Sequence, residues 1–112
     1  MSDAYKGLPK RVRIGAFWFD VEVIPPYEGT GEFGHMNVGS QMIRVSPDQR
    51  PENLANTFIH EVIHAIHWAN GLLDEKSDEE DYTIAAANGL CAFVQDNPEA
   101  MAWFVKHATV KA

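Results

Sequence analysis

The sequence predicts an α+β fold, and three observations carry that prediction. Apolar and polar residues alternate before about Val45, an apolar period near 3.6 runs through the chain after Pro51, and Ser46-Pro47-Asp48-Gln49-Arg50-Pro51 separates the two regimes. The 112 residues suit one domain, residues 1–112, and their 46% hydrophobic content supplies a core without disulfides. No repeat or low-complexity tract interrupts the pattern.

Arg11-Val12-Arg13-Ile14 alternates charge with apolar side chains, as a half-buried strand does. Gly15-Ala16 forms a turn, and the strand from Phe17 to Ile24 places Phe17, Phe19, Val21 and Val23 on one face. Pro25-Pro26 ends it, because proline cannot donate to the ladder. Residues from Glu28 to Gly34 include three glycines and read as a loop. A second hairpin pairs the region of Phe33–Asn37 with Gln41–Val45 across Val38-Gly39-Ser40. The four strands are expected to form a small antiparallel sheet.

A long helix should start near Pro51, suited to a first helical turn, and run to about Asn70 with Gly71 as its cap. Ser77-Asp78-Glu79-Glu80 reads as the start of a second helix ending near Asn97, with Tyr82, Thr83, Ala86, Ala87, Leu90, Phe93 and Val94 turned inward. Asn97-Pro98 opens a third helix carrying Met101, Trp103, Phe104 and Val105.

Nine Lys+Arg against sixteen Asp+Glu give a net charge of −7, which disfavours binding to nucleic acid or an anionic membrane. No apolar run approaches the roughly 20 residues that span a bilayer, and the first residues lack a secretory pattern. Cys91 is the only cysteine, as expected of a protein kept in a reducing compartment such as the cytoplasm.

His60-Glu61-Val62-Ile63-His64 is the most informative segment. Residues four apart on a helix lie about 40° apart around the axis and roughly 6 Å along it, so two imidazoles can converge on one tetrahedral Zn²⁺. Glu61, between them, sits beside such an ion and can act on a water there. Thr57, His60, Glu61, His64, His67 and Trp68 fall on one arc of an otherwise apolar helix. A helix this apolar is expected to be buried, and buried His and Glu need partners.

A catalytic zinc usually takes three protein ligands. One pattern continues with glycine and then histidine at three-residue intervals; here those positions hold His67 and Asn70, so it fails. Another takes a glutamate from a following helix. Glu79 and Glu80, 15 and 16 residues after His64, fit it. Glu80 is preferred, although Ser77-x-x-Glu80 could equally be a capping box; Glu79 is the alternative, ahead of another carboxylate or His67. Asp78 and Asp81 can serve the helix dipole. His67 faces substrate, supports the ligands or is simply buried, and His35 and His107 read as surface residues.

The HExxH segment, the preceding Gln41-Met42-Ile43-Arg44-Val45 strand, and Glu79-Glu80 followed by Ala86-Ala87-Asn88-Gly89-Leu90 resemble the short zincin-type metallopeptidases of phages and prophages. These are similar to minimal gluzincins and, more distantly, to ImmA/IrrE-type peptidases. The resemblance covers roughly residues 10–98. It implies a zincin-like fold, a small sheet packed on the metal-bearing helix, with His60, His64 and Glu80 as zinc ligands. It implies Glu61 as general base, passing a proton from water to the leaving amine of a peptide or protein substrate in the host cytoplasm. In zincins the substrate lies along a sheet edge, here expected near Gly34–Asn37, with Tyr82 or His67 as an oxyanion donor. The competing readings are an inert zinc protein acting through a partner, and a metal-free module that docks through Trp103-Phe104.

Overall fold

Strands β1 (Arg11–Ile14) and β2 (Phe17–Val23) form the expected hairpin, turning at Gly15 with φ 59°. They pair antiparallel, Arg11 opposite Asp20 and Ile14 opposite Phe17. The alternation sends Val12, Ile14 and Phe19 into the core and leaves Arg11, Trp18 and Asp20 exposed. The computed structural model describes residues 4–25, 32–72 and 78–109, without the side chains of Glu79 and Thr83. Ser77, Thr83 and the glycine-rich loop as far as residue 31 therefore lie outside the described residues.

The second hairpin joins β3 (Gly34–Asn37) to β4 (Met42–Val45), antiparallel, with Gly34 opposite Val45. The sheet as a whole is not antiparallel, however. Its order is β1-β2-β4-β3, and the central β2–β4 pair is parallel, Asp20 beside Met42 and Val23 beside Val45. Burial explains the inversion. In β4 Ile43 and Val45 are fully buried and gain most from a central position, whereas β3, with Gly34, His35 and Asn37, tolerates an edge.

The helices are α1 (Pro51–Ala69), α2 (Glu79–Asp96) and α3 (Pro98–Ala108). Pro51 takes the first position of α1, and Gly71 follows its end with φ 72°. Leu54, Phe58, Val62, Ala65 and Ile66 of α1 form the core with Phe19, Ile43 and Val45 of the sheet, Phe93 of α2 and Trp103 of α3. Phe58 is the hub, its ring centroid 6.4 Å from that of Phe93 and 5.6 Å from that of Trp103. None of these helices is long and apolar enough to cross a membrane.

Two expectations for α2 change. Its capping box runs from Asp78 to Asp81: each side chain accepts from the other's backbone N–H, at 2.9 Å and 3.2 Å. Glu80 therefore has no capping duty. The inward face is also rotated. Ala85 and Phe93 are buried and Tyr82, Ala86, Gly89 and Leu90 half-buried, while Ala87 and Val94 are exposed. Gly89 sets this face, because a Cβ there would overlap the side chain of Ile66 on α1.

The two sheet edges differ. On β1, the Arg13 N–H donates to Asn97 Oδ1 at 2.7 Å, and Asn97 Nδ2 donates back to the Arg13 carbonyl at 2.8 Å. One side-chain amide thus pairs with β1 as a neighbouring strand would. On β3, the Phe33 carbonyl accepts from Ser46 N–H, so alternate residues 33, 35 and 37 face β4. The backbone N–H and C=O groups of Gly34 and Met36 consequently point away from β4, to an edge that is open among the described residues.

Candidate functional site

α1 crosses beneath the open edge of the sheet, and the HExxH residues lie at that crossing. Glu61 is 8% exposed, whereas His60 and His64 are solvent-exposed. The expectation that the whole polar arc is buried therefore holds for its glutamate and fails for both histidines. Helical rotation supplies the reason. Leu54, Phe58 and Val62 occupy the face turned into the core, and Glu61 borders it beneath β3. About 100° of rotation back to His60 carries the imidazoles out from under the strand.

Glu61 and β3 meet through an absent side chain. A Cβ on Gly34 would lie 2.5 Å from Thr57 Cγ2, 3.1 Å from Glu61 Oε2 and 3.4 Å from Glu61 Cγ. The glycine lets the strand backbone rest directly on the carboxylate and on the threonine one turn earlier. An isolated glycine in an extended run signals such a close approach. In the sequence Gly34 reads instead as the end of a loop, because two further glycines precede it.

The Nε2 atoms of His60 and His64 stand 3.1 Å apart, with ring planes at 71°. Two imidazole nitrogens this close cannot both present bare lone pairs. They share a proton or they share a cation. Tetrahedral zinc with Zn–N distances of 2.0–2.1 Å separates two nitrogen donors by about 3.3 Å. The observed 3.1 Å is close to that spacing.

No family model, curated protein or solved structure matches the chain. The site's chemistry accordingly rests on its own geometry. Among the described residues, no group of three or more His, Cys, Asp or Glu side chains could hold a metal. Glu80 in particular is exposed and joins no such group with His60 and His64. Glu79 stands three residues before Tyr82 and seven before Ala86, both on the face turned toward α1, and its own side chain is outside the described residues.

The remaining candidates resolve individually. His67 packs edge-on against Tyr82, ring centroids 4.8 Å apart, so these two rings tie α1 to α2 one turn beyond His64. Burial, and secondarily the neighbouring His64, lowers the pKa of His67 and favours its neutral form. His35 is exposed on β3, near Glu32 at 3.9 Å. His107 is half-buried on α3, its Nδ1 2.8 Å from the Trp103 carbonyl. Neither is near the HExxH residues in sequence or joins a metal-binding group. Sequence reasoning missed Gln49 altogether, since it lies in the punctuating segment before α1 and no motif marks it. It is 9% exposed and hydrogen-bonded at both ends of its amide.

Proposed function

We propose that this protein is a zinc-dependent peptide-bond hydrolase in which His60 and His64 hold the metal and Glu61 is the general base. The observation that carries the reading is the 3.1 Å approach of the two Nε2 atoms on the helix whose intervening Glu61 is buried under Gly34. A Zn²⁺ held by His60 and His64 would supply Lewis acidity toward the scissile carbonyl. Glu61 would take the proton from the attacking water and return it to the leaving amine. The close approach of Gly34 shields one side of its carboxylate.

The substrate class follows from the edge. Gly34 and Met36 offer backbone donors and acceptors that no other described residue pairs, at strand spacing, which an extended peptide or unfolded protein segment would satisfy by adding as a further strand. Tyr82 or His67 would assist the oxyanion. A carboxylate from the first turn of α2 completes the ligand set. Glu80 and Glu79 both stand there, and Glu79 shares the register of Tyr82, three residues on, whose ring meets His67 of α1. The lone exposed thiol of Cys91 suits a reducing compartment such as the cytoplasm.

Metal analysis of the purified protein and of Glu61→Gln and His60→Ala/His64→Ala variants tests the reading. The double variant should lose its zinc. Glu61→Gln should keep it while hydrolysis of an unfolded protein substrate falls by about 10² or more. Zinc retained by the double variant ends the proposal. Zinc bound by the parent with no hydrolysis of any unfolded substrate makes it an inert zinc protein instead.

A further inference from the structure

Gln49 lies in the turn between β4 and α1, and both ends of its side-chain amide are engaged. Its Nε2 donates to the Ser46 carbonyl at 2.9 Å and to the Phe33 carbonyl at 3.2 Å, and its Oε1 accepts from Thr57 Oγ1 at 2.8 Å. These three partners belong to the turn itself, to the residue that enters β3, and to α1 one turn before Glu61. The amide therefore joins the edge strand to the helix below it.

We infer that Gln49 is a positioning residue that sets the height of strand β3 above Thr57 and Glu61, an inference that rests on the hydrolase reading. β3 has four residues and, among the described residues, is bonded along one side only, to β4. A ladder of that kind fixes lateral register but leaves the strand free to swing about its neighbour, toward or away from α1. Gln49 limits the swing in both directions. Its bond to the Phe33 carbonyl tethers the strand to the turn and, through Thr57, to the helix. Its bond to the Thr57 hydroxyl selects the rotamer of a β-branched side chain, which places Cγ2 under Gly34 as a spacer. A peptide added to Gly34 and Met36 takes its own height above α1 from β3, so the Gln49 amide aligns a substrate it never touches.

Two hydroxamate probes separate this role from a merely structural one. Acetohydroxamate reaches only the metal, whereas acetyl-Ala-Ala-Ala hydroxamate reaches the metal and the strand edge. The zinc-loaded protein is compared with Gln49→Met, which keeps the side chain's length without its hydrogen bonds. Thr57→Val removes the hydroxyl but preserves shape, and Thr57→Ser keeps the hydroxyl. Gln49→Met and Thr57→Val should bind the peptide probe about tenfold or more weakly, the effect of one or two lost hydrogen bonds. Their zinc content and acetohydroxamate affinity should stay within about twofold of the parent on the same scale. Thr57→Ser should bind the peptide probe more tightly than Thr57→Val. Should Gln49→Met fail to fold, the two Thr57 variants decide alone. Equal weakening of both probes, no weakening of either, or Thr57→Ser no better than Thr57→Val overturns the inference. A parent protein that takes up no zinc, and so binds neither probe, instead removes the hydrolase reading beneath it.

Discussion

Alanine at position 34 would place a methyl carbon 2.5 Å from Thr57 Cγ2 and 3.1 Å from Glu61 Oε2. Carbon atoms settle at about 3.5–4.0 Å, so the contact with Thr57 must open by roughly 1 Å. Thr57 cannot swing aside cheaply, because its hydroxyl is held by Gln49 and its branched Cβ permits few rotamers. The strand must therefore lift. Overpacking of this size costs about 1–3 kcal/mol, and at about 4–8 °C per kcal/mol for a domain near this size the melting temperature should fall by roughly 5–20 °C. The imidazoles lie out from under the strand, so zinc affinity should hardly change. Peptide hydrolysis should drop by about 10², the scale associated with misplacing a substrate by 1 Å. Gly39→Ala is the control, since its nearest new neighbour would be Asn37 Oδ1 at 3.4 Å. Thermal melts, zinc titration and a peptidase assay on both variants read the three effects. A Gly34→Ala protein that melts with the parent and hydrolyses peptides at the parent rate would refute the close packing of β3 on Glu61.

Asn97→Ala removes two hydrogen bonds to Arg13 and a third, at 3.1 Å, to the Phe93 carbonyl. It should cost about 2–4 kcal/mol in a urea melt, whereas a loss under about 0.5 kcal/mol, the scale of an ordinary surface change, would show that water replaces the amide at the β1 edge. Gly89→Ala should destabilise by about 1–3 kcal/mol through the clash with Ile66, and an unchanged denaturation midpoint would mean that α2 does not pack there. Glu79→Gln should weaken zinc binding by about 100-fold or more while Glu80→Gln leaves it nearly intact, as competition with a chelator would measure. The reverse order would return the third position to Glu80.

Much of the fold is local and therefore legible. The period-2 alternation of Arg11–Ile14 and Phe17–Val23, the proline at the start of α1 and the glycine past its end each act within a few residues. The start of α2 shows where local signals compete. Ser77 and Asp78 are both good N-caps, each with an acidic residue three positions on, and the capping box forms at Asp78. The inward face of α2 was harder to read because alanines occupy several sides of it. The helix turns the side on which Gly89 lets it approach Ile66, a requirement set by α1 rather than by α2's own sequence.

The same division runs through the candidate site. The spacing of His60 and His64 alone determines that their nitrogens can meet, since a single helix fixes both, and the same spacing puts Glu61 beside them. Alternation likewise determined which side of each strand is apolar. It could not choose each strand's neighbours, because a half-buried strand alternates identically in parallel and antiparallel company. Only the tertiary structure placed β4 beside β2, left β3 as the open edge and set Gly34 on Glu61. Those choices follow from which strand has most apolar surface to bury and which backbone can come closest to α1, quantities that exist only once the elements are packed together.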